Sequence, residues 1–224
     1  IELWGTGSWR YGWYIIGVIS VACLPLSLWA AARLSVPAQR NTAAGGIKLH
    51  LIWRELAGYV GFAMGYIVYL TFLSAWMTDQ QAPALLISAV WIIMGVALIA
   101  SPFVWRGVLA RHASGKPLAM ILTGIAIGSA LPLVLPAGGA VVISAVVFGL
   151  CVFMAPGAIT SFIRQNLPAE SWAAAMSLFT VVFAIAQTAG PFAAGALGDL
   201  TGNIGSSLLA AAAILLTGAA VVVF

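Results

Sequence analysis

From Trp172 to Leu197 the chain passes without one charged side chain. A helix over that stretch rises about 1.5 Å per residue and is long enough to cross a hydrocarbon core of about 30 Å. Six further apolar runs do the same, so seven spans are expected: 11–32, 56–77, 83–105, 117–135, 138–163, 172–197 and 204–224. The runs are unbroken and too long for barrel strands of about ten residues. Composition agrees, with 63% of the 224 residues apolar and 6% charged, against about 25% charged in a soluble domain. The sequence therefore predicts an all-α membrane protein whose first partner is the lipid bilayer.

The few charges orient it. Arg33, Arg40, Lys48 and Arg54 fall between the first two runs, Arg106, Arg111 and Lys116 between the third and fourth, and Arg164 between the fifth and sixth. If the spans alternate, these loops share one side. The other side holds Arg10 with Glu2, Asp79 and Asp199. A basic face marks the cytoplasm, which puts the N-terminus outside and the C-terminus inside. The net charge of +4 then calls for no nucleic-acid partner. Cys23 and Cys151 lie within apolar runs, as buried small residues do. His50 and His112 sit in loops without partners at ligand spacing, so no metal site is expected. There is no carboxylate pair, Ser/His set or phosphate-binding loop, so neither catalytic residues nor a cofactor are expected. The chain opens at Ile1 without an initiator methionine, and the expectation is a piece of a longer frame.

The one long connection, 33–55, contains loop formers such as Pro37, Gly45 and Gly46, and separates residues 1–32 from a block of six spans at 56–224. Its last part, IKLHLIWRE, is expected to form a short interfacial helix anchored by Trp53. Small residues recur at helical spacing in Ala57, Gly61 and Gly65, in Gly124 and Gly128, and in Gly190, Ala194 and Gly198. Such stripes let helices approach closely in lipid.

Opposite the first stripe lie Tyr59, Phe62, Tyr66 and Tyr69. Tyr66 and Tyr69 are deep enough that their hydroxyls need partners. Gln187 shares a face with Ser177 and Thr180, and a polar stripe is expected to face the bundle interior. Tyr66, Tyr69, Gln187 and Thr180 are thus candidates for a solute cavity, with ordinary packing as the alternative. Pro25, Pro156 and Pro191 interrupt spans; Pro156 and the pair Gly190-Pro191 are candidate hinges, against static kinks. No ionisable residue lies near the middle of a span, so no ion-coupling residue stands out.

Two exits share a pattern. Gly107, Leu109 and Arg111 follow the second span of the block, and Gly195, Leu197 and Asp199 follow its fifth, each reading G-x-L-x-charged. This layout resembles the major facilitator superfamily, whose loop signature G-x-L-x-D-R-x-G-R follows the second helix of a triplet. Gly107 and Leu109 fit it, with Gly115-Lys116 as a shifted ending, whereas Arg111 stands where the signature has Asp. Gly190-Pro191 followed by Ala194-Gly195 is similar to that superfamily's glycine–proline motif. The strings GYVGFAMGYIVYLTFL and SFIRQNLPAESWAAAMSLFTVVFAIAQTAGPFAAGALGD are similar to its YbfB/YjiJ-type branch, and the likeness covers essentially the whole chain.

The resemblance implies a fold and a role. Residues 1–32 would be the last helix of an N-terminal half, 33–55 a cytoplasmic linker, and 56–224 a C-terminal six-helix half built as a 3+3 inverted repeat. The protein would be a secondary transporter moving a small organic solute across a bacterial inner membrane by alternating access. Tyr66, Tyr69, Gln187 and Thr180 would line the cavity, Arg106, Gly107 and Arg111 would form a cytoplasmic gate loop, and Gly195 and Asp199 a helix exit. Any proton coupling would run through the other half. Two rivals share the layout: a seven-helix receptor or sensor, and a non-transporting membrane subunit. The first lacks a lysine in span seven for a retinal Schiff base, and neither explains the repeat.

Overall fold

The computed structural model describes residues 9–33, 49–135 and 138–223. Among them are α1 (Trp9–Arg33), α2 (Trp53–Asp79), α3 (Ala84–Arg111), α4 (Lys116–Val134), α5 (Gly138–Val152), α6 (Met154–Asn166), α7 (Trp172–Thr201) and α8 (Ile204–Val223). There is no strand among the described residues, and seven helical stretches are long and apolar enough to cross a membrane, α5 and α6 together making one. By its contacts α1 is a unit by itself, and α2–α8 form a second. In α1 the hydroxyls of Ser20 and Ser27 donate to the carbonyls of Ile16 and Cys23, which hides them from lipid. Most of the linker, 34–48, lies outside the described residues. The interfacial segment before α2 is a 3₁₀ turn at Leu49–Leu51, with Trp53 already opening α2.

The second unit carries an internal symmetry. Its most extensive contacts are α2 with α8, α4 with α8, α3 with α5, α4 with α5, and α2 with α7. Exchanging α2 with α5, α3 with α7 and α4 with α8 returns the same five contacts. Two spans lie between the members of each exchanged pair, so in an alternating bundle the two run in opposite directions. This is a 3+3 inverted repeat, with α2, α4, α5 and α8 inside and α3 and α7 exposing long apolar faces at Ile92, Ile99 and Phe103 and at Val181, Ile185 and Phe192.

Small residues set the close approaches. A Cβ on Gly65 would lie 2.5 Å from Cγ of Leu215, so α2 seats on α8. The residue above Gly61 on that seam is Gly58, while Ala57 is exposed. On Gly128 a Cβ would lie 2.9 Å from the backbone N of Phe148, and on Gly190 2.7 Å from the carbonyl O of Met64, fixing α4 on α5 and α7 on α2.

Two helices run past their expected ends. α3 continues beyond Trp105 to Arg111, and α7 beyond Leu197 to Thr201. The exposed side chains of Arg106 and Arg111 are long enough to reach the interface from within a helix. As a result Pro102 lies inside α3, as Pro132 lies inside α4. Each proline deprives the carbonyl four residues earlier of its N–H. Ser101 Oγ donates to the freed Leu98 carbonyl at 2.8 Å, and Ser144 Oγ donates to the freed Gly128 carbonyl at 2.6 Å. The fifth span is broken instead: Phe153, at φ −89° and ψ 7°, separates α5 from α6, three residues before Pro156.

Candidate functional site

The two deep tyrosines of α2 have different fates. Tyr69 is fully buried, stacks on Phe148 at 4.1 Å between ring centroids, and its hydroxyl lies 2.5 Å from Ser144 Oγ. Ser144 donates its own hydrogen bond to the Gly128 carbonyl, so the phenol heads a short hydrogen-bonded chain that repairs the Pro132 kink. Tyr66 is one helical turn nearer the start of α2. Its hydroxyl donates to Gln187 Oε1 on α7 at 2.5 Å. Its ring stacks on Phe62 at 4.6 Å, in a cluster with Tyr59, Phe179 and Phe183.

Gln187 is half-buried. Its carbonyl oxygen is taken by Tyr66, and its amide N–H groups have no partner among the described residues. Four residues on, Pro191 leaves the Gln187 main-chain carbonyl without its helical N–H, and no side chain among the described residues donates to it. At mid-span Gln187 thus carries both donors and an acceptor without partners among the described residues, and its amide is held by a tyrosine of the aromatic cluster. The polar stripe of α7 does not turn inward as a whole. Thr180 is exposed and donates to the Met176 carbonyl of its own helix at 2.8 Å, and Ser177 is exposed too. A hydroxyl satisfied within its own helix has no need of the interior, which is why the expected inward face holds only at Gln187. The site therefore joins Tyr66 with Gln187 and leaves Tyr69 and Thr180 elsewhere.

At one end of the bundle lie Arg54, Arg106, Arg111, Lys116 and Arg164, all exposed. There the α3–α4 connection is carried by α6. Ser161 Oγ and Gln165 Nε2 donate to the Leu109 carbonyl, and Asn166 Nδ2 donates to the Ala113 carbonyl. The Leu109 carbonyl belongs to the last turn of α3, where helical carbonyls lack partners, and Ala113 to the connection just beyond it. Gly107 and the two arginines flanking the pattern lie on helix α3, and a Cβ on Gly107 would meet nothing within 4 Å. Arg164 stacks over the Trp172 ring at 5.3 Å. At the other end Asp199 is exposed in the last turn of α7, which stops at Gly202 in the left-handed conformation, φ 64°. A Cβ on Gly195 would lie 3.9 Å from the Phe72 ring, an ordinary contact.

One residue was passed over as part of the linker. Glu55 lies in the first turn of α2, is 8% exposed, and brings Oε1 to 2.9 Å from where a Cβ on Gly115 would lie, at the start of α4. An acid in the first turn of a helix favours its positive end, and that preference was the available signal. Among the described residues no three His, Cys, Asp or Glu side chains gather to hold a metal.

A family model described as the uncharacterised MFS-type transporter YbfB matches residues 2–223. The chain belongs to this family of major facilitator transporters, and the inverted repeat of α2–α8 is the six-helix half of that fold. It is a multi-pass membrane protein of a transporter family. Neither curated proteins nor solved structures give a match.

Proposed function

We propose that this chain is the C-terminal portion of a secondary transporter that moves a small organic solute by alternating access, with Tyr66 and Gln187 as the solute contact of this lobe. The observation that carries the proposal is the bridge between them: a half-buried carboxamide held by one tyrosine, with its N–H groups unspent, between two helices of which one has neighbours on one side only. A solute bearing a carbonyl or hydroxyl takes the free N–H groups. One that also donates competes with the Tyr66 hydroxyl for Oε1, and so biases how closely α2 and α7 approach. A ligand shifts a two-state equilibrium only by what it gains in one state over the other, and a contested hydrogen bond supplies such a difference.

In this reading an intact carrier has a second six-helix lobe, and the site lies between the two. The arginine-rich end faces the cytoplasm of a bacterial cell and the N-terminus of α1 the outside, in keeping with the positive-inside rule. The α3–α4 connection is the inner gate, moved by α6 about the break at Phe153, while Gly190-Pro191 allows α7 to flex. Proton coupling, where present, belongs to the other lobe.

The test is uptake by the intact carrier, measured per molecule at the cell surface with a panel of labelled neutral and charged metabolites in counterflow. Gln187→Ala lowers uptake of the transported solute about tenfold or more, the loss of one or two hydrogen bonds to a bound ligand. Tyr69→Phe leaves uptake per folded molecule unchanged. Equal uptake by Gln187→Ala and the parent would refute the site.

A further inference from the structure

At the end of the bundle away from the arginines, the last turn of α2, the turn leading into α3, and the ends of α4 and α5 enclose a cavity of about 300 Å³. Gln80 and Gln81 form its polar side, and Trp76, Leu86, Pro132 and Val141 its apolar side. No lining residue is charged. Neither glutamine side chain has a hydrogen-bond partner among the described residues, and both residues are exposed.

The backbone beneath these glutamines is unusual. α2 stops through two hydrogen bonds, from the Gln81 N–H to the Thr78 carbonyl at 2.9 Å and from the Ala82 N–H to the Met77 carbonyl at 3.0 Å. This closure needs a left-handed residue, ordinarily glycine. α7 ends in the left-handed conformation at Gly202, whereas α2 carries Gln81 at φ 57°, where a side chain is strained. Among the described residues nothing bonds to the Gln81 carboxamide, and Gln81 is part of the cavity lining.

We propose that this cavity binds a small neutral solute with hydroxyl or amide groups along one edge and one flat apolar face. The carboxamides of Gln80 and Gln81 both donate and accept, which matches such groups, and the Trp76 indole meets the flat face. The volume is at the small end of ligand pockets and suits a molecule about the size of a monosaccharide. A charged ligand finds no counter-charge on the lining. The site is separate from the Tyr66–Gln187 pair, since Trp76 lies ten residues, about 15 Å, further along α2.

Binding is tested on the purified chain in detergent micelles, by ligand-detected NMR with glucose and N-acetylglucosamine as probes and glutamate and arginine as charged controls. At least one neutral probe binds with a Kd in the millimolar range, and the charged controls do not. Combining Gln80→Ala with Gln81→Gly weakens that binding about tenfold while raising the unfolding midpoint by about 2 °C, because the strain is relieved. Gln187→Ala leaves it unchanged. Should the double variant not yield folded protein, Gln81→Asn keeps a residue tolerant of the left-handed conformation but shortens its reach, and weakens binding as well. The proposal is overturned if neither neutral probe binds, if the charged controls bind as tightly, or if the variants at 80 and 81 bind as the parent does. Because no flux is required, the result stands apart from that of the uptake experiment.

Discussion

Where α4 meets α5, a proline, a serine and a tyrosine close every hydrogen bond that the kink opens. Where α2 meets α7, a proline, a glutamine and a tyrosine leave some unused. The first contact is sealed: Tyr69 and Ser144 are fully buried, and the carbonyl freed by Pro132 is taken. The second is half-exposed, with the Gln187 amide N–H groups and main-chain carbonyl available. The same kind of residue therefore makes a rigid joint in one place and a reactive surface in another. What decides is whether a neighbouring helix brings the missing donor. Polar groups in lipid cost several kcal/mol when unpaired, so the open seam is the less stable of the two, and the proposed solute would complete it.

The comparison can be broken most forcefully at the two glycines. Gly128→Ala drives a Cβ against the Phe148 backbone between two well-enclosed helices, and lowers stability by about 3 kcal/mol. Gly190→Ala presses on the Met64 carbonyl equally hard, but α7 has an open side and can shift, so the loss is less than half as large. Denaturant unfolding in mixed micelles measures both, and equal losses would mean that the two seams are equally rigid.

A medium effect separates the polar partners. Ser144→Ala leaves a buried phenol and a buried carbonyl unpaired and costs about 2 kcal/mol. Gln187→Ala removes one interhelical bond, worth about 0.6 kcal/mol on average between membrane helices. If the glutamine change costs as much as the serine change, Gln187 is a structural strut and the solute reading fails.

A double-mutant cycle sharpens the account of the kinks. Ser101→Ala removes the donor that replaces the Pro102 N–H, for about 1 kcal/mol. In a Pro102→Ala background the helix supplies its own N–H to Leu98, and the same serine change costs close to nothing. The difference appears as a coupling in a double-mutant cycle; additive losses would show that the hydroxyl does not stand in for the lost backbone bond.

The spans were legible because an unbroken apolar run has one outcome in lipid. Their ends were less so, since Arg106 and Arg111 stop the run but not the helix. Gln187 and Tyr66 stood out individually as polar groups among apolar neighbours, yet nothing local joins residues 121 positions apart. Ser144 was invisible for the opposite reason: a serine is common in an apolar helix, and its importance comes from a proline on a different one. Gln81 was hidden because left-handed geometry is imposed by the way α2 closes and leaves no trace in residue type. Glu55 fell within the connection drawn as 33–55, whereas the helix begins at Trp53.

The interruption at Phe153 has a mechanical corollary. The arm beyond it, α6, has 13 residues and so measures about 20 Å. Tilting that arm by about 10° displaces its far tip by about 3.4 Å, more than the width of a water molecule, about 2.8 Å. Three side chains on its outer half, two of them at the tip, bond to the end of α3 and the connection after it. A bend too slight to disturb the packed middle of the bundle thus carries the turn at its rim by more than the width of a water molecule.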